Sequence, residues 1–119
     1  MLALPDYVEN EAFYPNISNY FSFYIKRILI DKNFRKQGAG KALLKIAAKE
    51  SYRKGCDGKV HLIAGRLNSL ETKLPHKFYW KNHFRSSDEP SNKKIKQAIE
   101  NNSDIPSYMG LGTPMYLDI

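Results

Sequence analysis

"RILIDKNFRKQGAGKALLKIAAKE", residues 27–50, passes from an apolar run through a glycine-bearing turn into a basic amphipathic segment. Its decisive feature is the change of period at the glycines. Upstream, "FSFYIKRILI" (residues 21–30) is dense in aromatic and β-branched residues and runs into the turn-formers Asp31 and Asn33, which predicts a buried or half-buried strand. From Gly38 onward Ala39, Ala42, Leu43, Ile46 and Ala47 recur at helical spacing, while Lys41, Lys45, Lys49 and Arg53 lie four apart on another face. Arg53-Lys54-Gly55 then supplies cations and a glycine at the helix end. "KVHLIA" (residues 59–64) is a second buried-looking strand. Strand, helix and strand with short connections form a βαβ unit, so the two strands are expected to be parallel neighbours.

Further along, "KLPHKFYWKNHF" (residues 73–84) predicts a short helix with Pro75 in its first turn, followed by a reversal into a strand at Phe84. "SNKKIKQAIENN" (residues 91–102) places Ile95, Ala98 and Ile99 on one helical face after a capping Ser91, and "PMYLDI" closes the chain as a strand. "SSDEPSNKK" (residues 86–94) is the one polar stretch with the character of a long loop. Residues 1–20, rich in Tyr, Asn and Pro without a clean period, predict an irregular or partly stranded lead-in. The division expected is one α+β domain over residues 1–119, with lead-in 1–20, core 21–84, and loop, short helix and last strand over 85–119.

Composition narrows the class of function. No stretch approaches the roughly 18 consecutive apolar residues of a membrane span, and "MLALP" lacks the basic flank of a secretory signal, so a cytoplasmic chain with no membrane partner is expected. The single Cys56 has no internal disulfide partner, and His61, His76 and His83 show no metal-ligand spacing. The net charge of +7 is uneven: residues 1–25 hold Asp6, Glu9 and Glu11 and no Lys or Arg, so the remainder sets 19 basic residues against nine acidic ones. Such a field suits a polyanion, whether nucleic acid, an anionic surface or a small molecule with several phosphates. No nucleic-acid-binding motif is recognisable, which disfavours the first.

The glycine turn discriminates among phosphate-binding designs. A Walker loop requires a glycine five positions before the Gly-Lys pair and a Ser or Thr after it, where this chain has Arg35 and Ala42. The dinucleotide fingerprint requires a small residue where Leu43 stands. The pattern Arg/Gln-x-x-Gly-x-Gly/Ala is filled throughout by Arg35-Lys36-Gln37-Gly38-Ala39-Gly40. Free N–H groups at a helix start, the positive end of the helix dipole and glycines that let a pyrophosphate approach make an anion cradle, supplied here by Lys36 to Lys41.

With the apolar Ile28 and Ile30 spaced before the arginine, "ILIDKNFRKQGAGKALL" resembles the acetyl-CoA-binding signature of the GNAT family of N-acetyltransferases. "KFYWKNHF" resembles that family's second signature, in which a tyrosine on a short helix precedes a turn and a phenylalanine. The resemblance implies a mixed, centrally splayed β-sheet with flanking helices, lacking the usual N-terminal part of the fold, because 24 residues cannot supply the strands and helical pair that family members carry before the first signature. It also implies acetyl-CoA as acetyl donor, held by Ile28, Leu29 and Ile30 through backbone and by Arg35, Lys36, Gln37, Gly38, Ala39, Gly40 and Lys41. Tyr79 takes the place of the proton donor to the leaving thiolate. Two departures stand out: His83 occupies the position where the family usually has Gly, and Thr72 the position of a frequent Asn, for which Asn68 could substitute only across an insertion.

The function expected from the resemblance is acetyl transfer to a primary amine by direct attack, the acceptor being an amine-bearing small molecule or protein; coenzyme binding without turnover is its first rival. No general base is assigned. His61 is available on the second strand, although a single strand histidine is more often a packing residue, and Glu9, Glu11 and Glu71 have no positional support. A sheet that began at residue 21 would expose an apolar edge, so a homodimer pairing edges or burying Tyr14, Tyr20, Phe21 and Phe23 is also expected.

Overall fold

The computed structural model describes residues 1–9, 13–28, 38–65 and 74–118. Five strands form one mixed sheet: β1 (Leu2–Val8), β2 (Tyr20–Arg27), β3 (Val60–Ala64), β4 (Phe84–Arg85) and β5 (Thr113–Leu117), in the order β1-β2-β3-β5-β4. Among the described residues three helices accompany it, α1 (Ala39–Arg53), α2 (His76–Lys81) and α3 (Glu89–Glu100), with a 3-10 segment over Ser107–Leu111. β2 and β3 are parallel, as the βαβ pattern requires, and every other pairing is antiparallel. The α+β class and mixed sheet expected from the sequence are therefore present.

Cross-strand register sorts the residues onto two faces. Phe23 lies opposite Val60, Ile25 opposite Leu62 and Leu62 opposite Met115, and these side chains form the core with Leu44 and Ala47 of α1, Tyr79 of α2, and Ile95 and Ala98 of α3. The other face carries Ser22, Tyr24, His61 and Tyr116. Phe13 covers the His61 ring at 4.0 Å between centroids, and Tyr14 lies 4.8 Å from Tyr116. Tyr14 also acts as a peg. Its hydroxyl accepts from the Val60 N–H (3.0 Å) and donates to the Leu117 carbonyl (2.8 Å), bridging β3 and β5 one residue beyond their last pair, His61 with Tyr116. Burial holds the phenol well above the usual tyrosine range, with the Val60 hydrogen bond opposing.

Several expectations are corrected. Residues 2–8 form a strand within the partly stranded lead-in, with a register shift between Leu2 and Ala3, and it covers the β2 edge on which the edge-paired homodimer was premised. Of the aromatic cluster assigned to that contact, Tyr20 and Phe23 are buried within the chain and Phe21 is half exposed. The buried stripe of α1 is Gly40, Leu44, Ala47 and Ser51, rotated from the expected one, so Ile46 points outward at 47% exposure. Small residues at 40, 47 and 51 let the helix lie close against the sheet, and the Ser51 hydroxyl donates to the Lys59 carbonyl at 2.7 Å. The cap of α3 is Asp88, not Ser91: its carboxylate accepts from the Ser91 N–H and hydroxyl, and Pro90 falls in the first turn where its missing donor is harmless. The helix thereby absorbs most of the expected loop. Pro75 is the N-cap of α2 rather than a first-turn residue.

Candidate functional site: the opening between β2 and β3

β2 runs on to Arg27, still paired with Leu2 of β1, and β3 runs on to Ala64, paired with Thr113 of β5. Between themselves, however, they pair only from Phe23–Val60 to Ile25–Leu62. Beyond that point two strands continue with their inner edges turned toward each other and no ladder between them. Backbone N–H and C=O groups inside a protein seek partners, so a ligand bearing amides and carbonyls could act as the missing ladder. Ile28 follows the end of β2 with its side chain in the core. Leu29, Ile30, Arg35, Lys36 and Gln37 lie outside the described residues.

The start of α1 supplies the second element. Gly38 is the N-cap at φ 81°, in the left-handed region, and its carbonyl accepts the first helical bond, from Ala42 N–H at 3.0 Å. The N–H groups of Ala39, Gly40 and Lys41 therefore have no acceptor within the helix. No acidic residue lies in this first turn to offset the positive end of the helix dipole. A Cβ built on Gly38 meets nothing within 4 Å, which leaves room for an approaching anion. Lys41, Lys45, Lys49 and Arg53 are all exposed, and only Lys41 is at the helix start. At the far end Gly55 (φ 81°) closes the helix: Cys56 N–H donates to Ser51 C=O at 2.8 Å and Gly55 N–H to Tyr52 C=O at 3.4 Å. Cys56 is buried there as a closing residue, and burial raises its thiol.

The third element is α2. Tyr79 is 3% exposed, with its ring 5.5 Å from Phe78 and 5.8 Å from Phe84, and burial pushes its hydroxyl up to about 12. One turn earlier on the same side, His76 is fully buried, its Nε2 2.9 Å from the Thr113 hydroxyl. That hydroxyl donates onward to the Met109 carbonyl (3.2 Å), so it accepts from His76 and places the imidazole proton on Nε2. Nδ1 is then a bare acceptor, buried with no hydrogen-bond partner. Burial lowers the ring to about 4, with the nearby Met109 carbonyl opposing. Sequence reading singled out Tyr79 and passed over His76, because nothing local signals a histidine buried by a distant 3-10 segment.

With this geometry in hand, the comparison with known families is decisive: the sequence profile of the acetyltransferase (GNAT) domain matches residues 7–86. The chain belongs to the GNAT acetyltransferase family. No curated protein and no solved structure matches it. A GNAT domain provides for acyl transfer in general, and the open-seamed, mixed sheet agrees with the family's fold. Where GNAT sequences usually have Gly, His83 sits at φ 72°, the left-handed conformation that explains the usual glycine. His61, weighed as a base, is packed instead: Nδ1 is 2.7 Å from the Ser22 hydroxyl, Tyr24 stacks on the ring at 4.9 Å, and Nε2 is 3.7 Å from Asp6. Burial lowers it to about 4, with Asp6 opposing. Glu9 is exposed on the chain leaving β1, whereas Glu11, Asn68, Glu71 and Thr72 lie outside the described residues. Among the described residues no group of three His, Cys, Asp or Glu could hold a metal ion, and no helix is long and apolar enough to cross a membrane.

Proposed function

We propose that this chain binds acetyl-CoA along the opening between β2 and β3, with its diphosphate at the start of α1, and transfers the acetyl group to a primary amine without a covalent enzyme intermediate. The observation that carries the reading is the early end of the β2–β3 ladder beside a glycine-capped helix start. It offers main-chain partners for the amide-bearing pantetheine arm and free N–H groups for the charged end. Leu29, Ile30, Arg35, Lys36 and Gln37 are proposed as parts of the same cradle on the strength of their motif.

In the reaction the lone pair of a neutral amine attacks the thioester carbon. The charge that develops on the carbonyl oxygen is met by main-chain N–H groups of the open edge, and the C–S bond breaks with the electron pair passing to sulfur. Tyr79 stabilises the departing thiolate. With its hydroxyl raised to about 12 it is fully protonated at neutral pH, and against a thiol of roughly 8.5 it acts chiefly by donating a hydrogen bond, the amine's own proton completing the balance. The acceptor amine, carried by a small molecule or a protein, belongs to the proposal, as do residence in the cytoplasm and a homodimer. The exposed, mutually tilted Tyr7 and Phe21 rings, 5.0 Å apart, are the contact proposed for the dimer in place of a strand edge.

Calorimetric titration with CoA followed by a thioester-loss assay with a panel of amines tests the reading. Micromolar-scale affinity that weakens with salt is expected, together with turnover on at least one amine. CoA uptake without thioester loss would make the chain a coenzyme-binding domain without turnover, and absence of uptake would defeat the proposal.

A further inference from the structure

His76 is the buried polar side chain that the proposed chemistry leaves unused, and its bare Nδ1 is the one buried side-chain atom without a hydrogen-bond partner among the described residues. A lone acceptor sealed from water is a standing penalty that folded chains avoid unless something arrives to satisfy it. The ring's position says what could arrive. Nε2 is held by Thr113, which pairs with Ala64, and Ala64 belongs to the part of β3 beyond its last pair with β2. Among the described residues β3 carries at this point the small Ala64, followed by Gly65, where a Cβ would lie 2.8 Å from the Gly110 carbonyl of the 3-10 segment.

His76 and Tyr79 are three residues apart on one helix and both are buried, so they are neighbours on one face, separated by a rise of about 4.5 Å along the axis. In a coenzyme thioester the first amide nitrogen follows the sulfur after two methylenes, a span of comparable length. We infer that His76 Nδ1 is the hydrogen-bond acceptor for the N–H of the pantetheine amide nearest the sulfur, so that one turn of α2 holds both the leaving group and the arm behind it. The inference rests on the acetyl-CoA reading above. A neutral, bare nitrogen in an apolar surround suits a neutral amide donor, whereas an incoming ammonium would have to shed its hydration to reach a fully buried ring. The lowered pKa of the ring agrees with this: it stays an acceptor throughout the physiological range.

The test follows the imidazole nitrogens of the 15N-labelled full chain by NMR with two probes, CoA and adenosine 3′,5′-bisphosphate, which keeps phosphates and lacks the arm. CoA is expected to move His76 Nδ1 to the frequency of a hydrogen-bonded acceptor while Nε2 stays in place; the bisphosphate is expected to leave both unmoved. His76→Gln, which keeps a group at the Thr113 contact and loses the Nδ1 acceptor, should weaken CoA about tenfold and leave the bisphosphate unaffected, whereas His76→Asn, which keeps an acceptor at the Nδ1 position, should recover most of the loss. CoA uptake with an unmoved Nδ1, or an Nδ1 already hydrogen-bonded in the free chain, overturns this inference alone, and the wild-type spectra decide it even if a variant fails to fold. A wild-type chain that takes up neither probe overturns the acetyl-CoA reading and this inference together.

Discussion

His83 is an exposed side chain held at φ 72°, whereas the other non-glycine residues in that region among the described residues are Asn16, Asn19, Asp57 and Asn102, types that tolerate it. Its backbone is fixed from both sides: its N–H donates to Trp80 at 3.1 Å and its carbonyl accepts from Asp118 at 2.8 Å. The left-handed conformation costs an L-residue about 1–2 kcal/mol, and replacement by glycine returns part of that through a freer unfolded chain. His83→Gly is therefore expected to stabilise the fold by roughly 0.5–1 kcal/mol, read as a higher urea midpoint with unchanged slope. At Tyr79 the expectation concerns rate. Loss of the hydroxyl leaves the ring packed on Phe78 and Phe84, so Tyr79→Phe should retain CoA affinity and lower turnover by roughly 10²-fold. Equal rates for the two proteins across the pH range would reduce Tyr79 to a core aromatic.

At the scale of elements, the start of α1 carries the clearest consequence. A bulky side chain at Gly38 would block an approaching diphosphate, but at φ 81° a β-branched residue would also strain the turn, so valine confounds two effects. Alanine separates them better: Gly38→Ala should cost about 1–2 kcal/mol of stability and weaken CoA by more than that strain can explain, because its methyl points into the space left for the anion. A calorimetric titration giving unchanged CoA affinity would remove Gly38 from the cradle. The strand edges lead to a different expectation. β1 carries Pro5 at its centre and β4 has two residues, so both free edges of the sheet are blunted against pairing with another chain. If the proposed dimer uses Tyr7 and Phe21 instead, Phe21→Ser should halve the mass measured by light scattering with little loss of stability, since Phe21 is half exposed; an unchanged dimer mass would exclude that contact.

For the whole molecule, two buried histidines couple stability to pH. His61 and His76 are both lowered from 6.5 to about 4, so between those values the unfolded chain binds protons that the folded chain does not. Stability is expected to be level above about pH 7 and to fall as pH drops from 6.5 toward 4, by at most about 1.4 kcal/mol per pH unit for each histidine. Urea midpoints measured across that window check the sign, and a midpoint that rises on acidification would refute it. Much of this architecture was legible in the residues. The period change at Gly38, the parallel β2–β3 pair, the glycine-closed helix and the two GNAT-like signatures are local patterns, because caps, turns and amphipathic spacing depend on neighbours a few residues away. What the chain order did not reveal depends on contacts between distant segments. Residues 2–8 show no alternation yet form a strand, because β2 offers them an edge; Tyr14 finds its partners on β3 and β5, as many as 103 residues away. The exposed Ile46 shows a helix face chosen by the sheet it must lie against rather than by its own apolar count. His76, unremarkable in sequence, becomes a buried bare acceptor only when Thr113 and the 3-10 segment close over it, since burial is a property of the assembled fold and not of any single stretch.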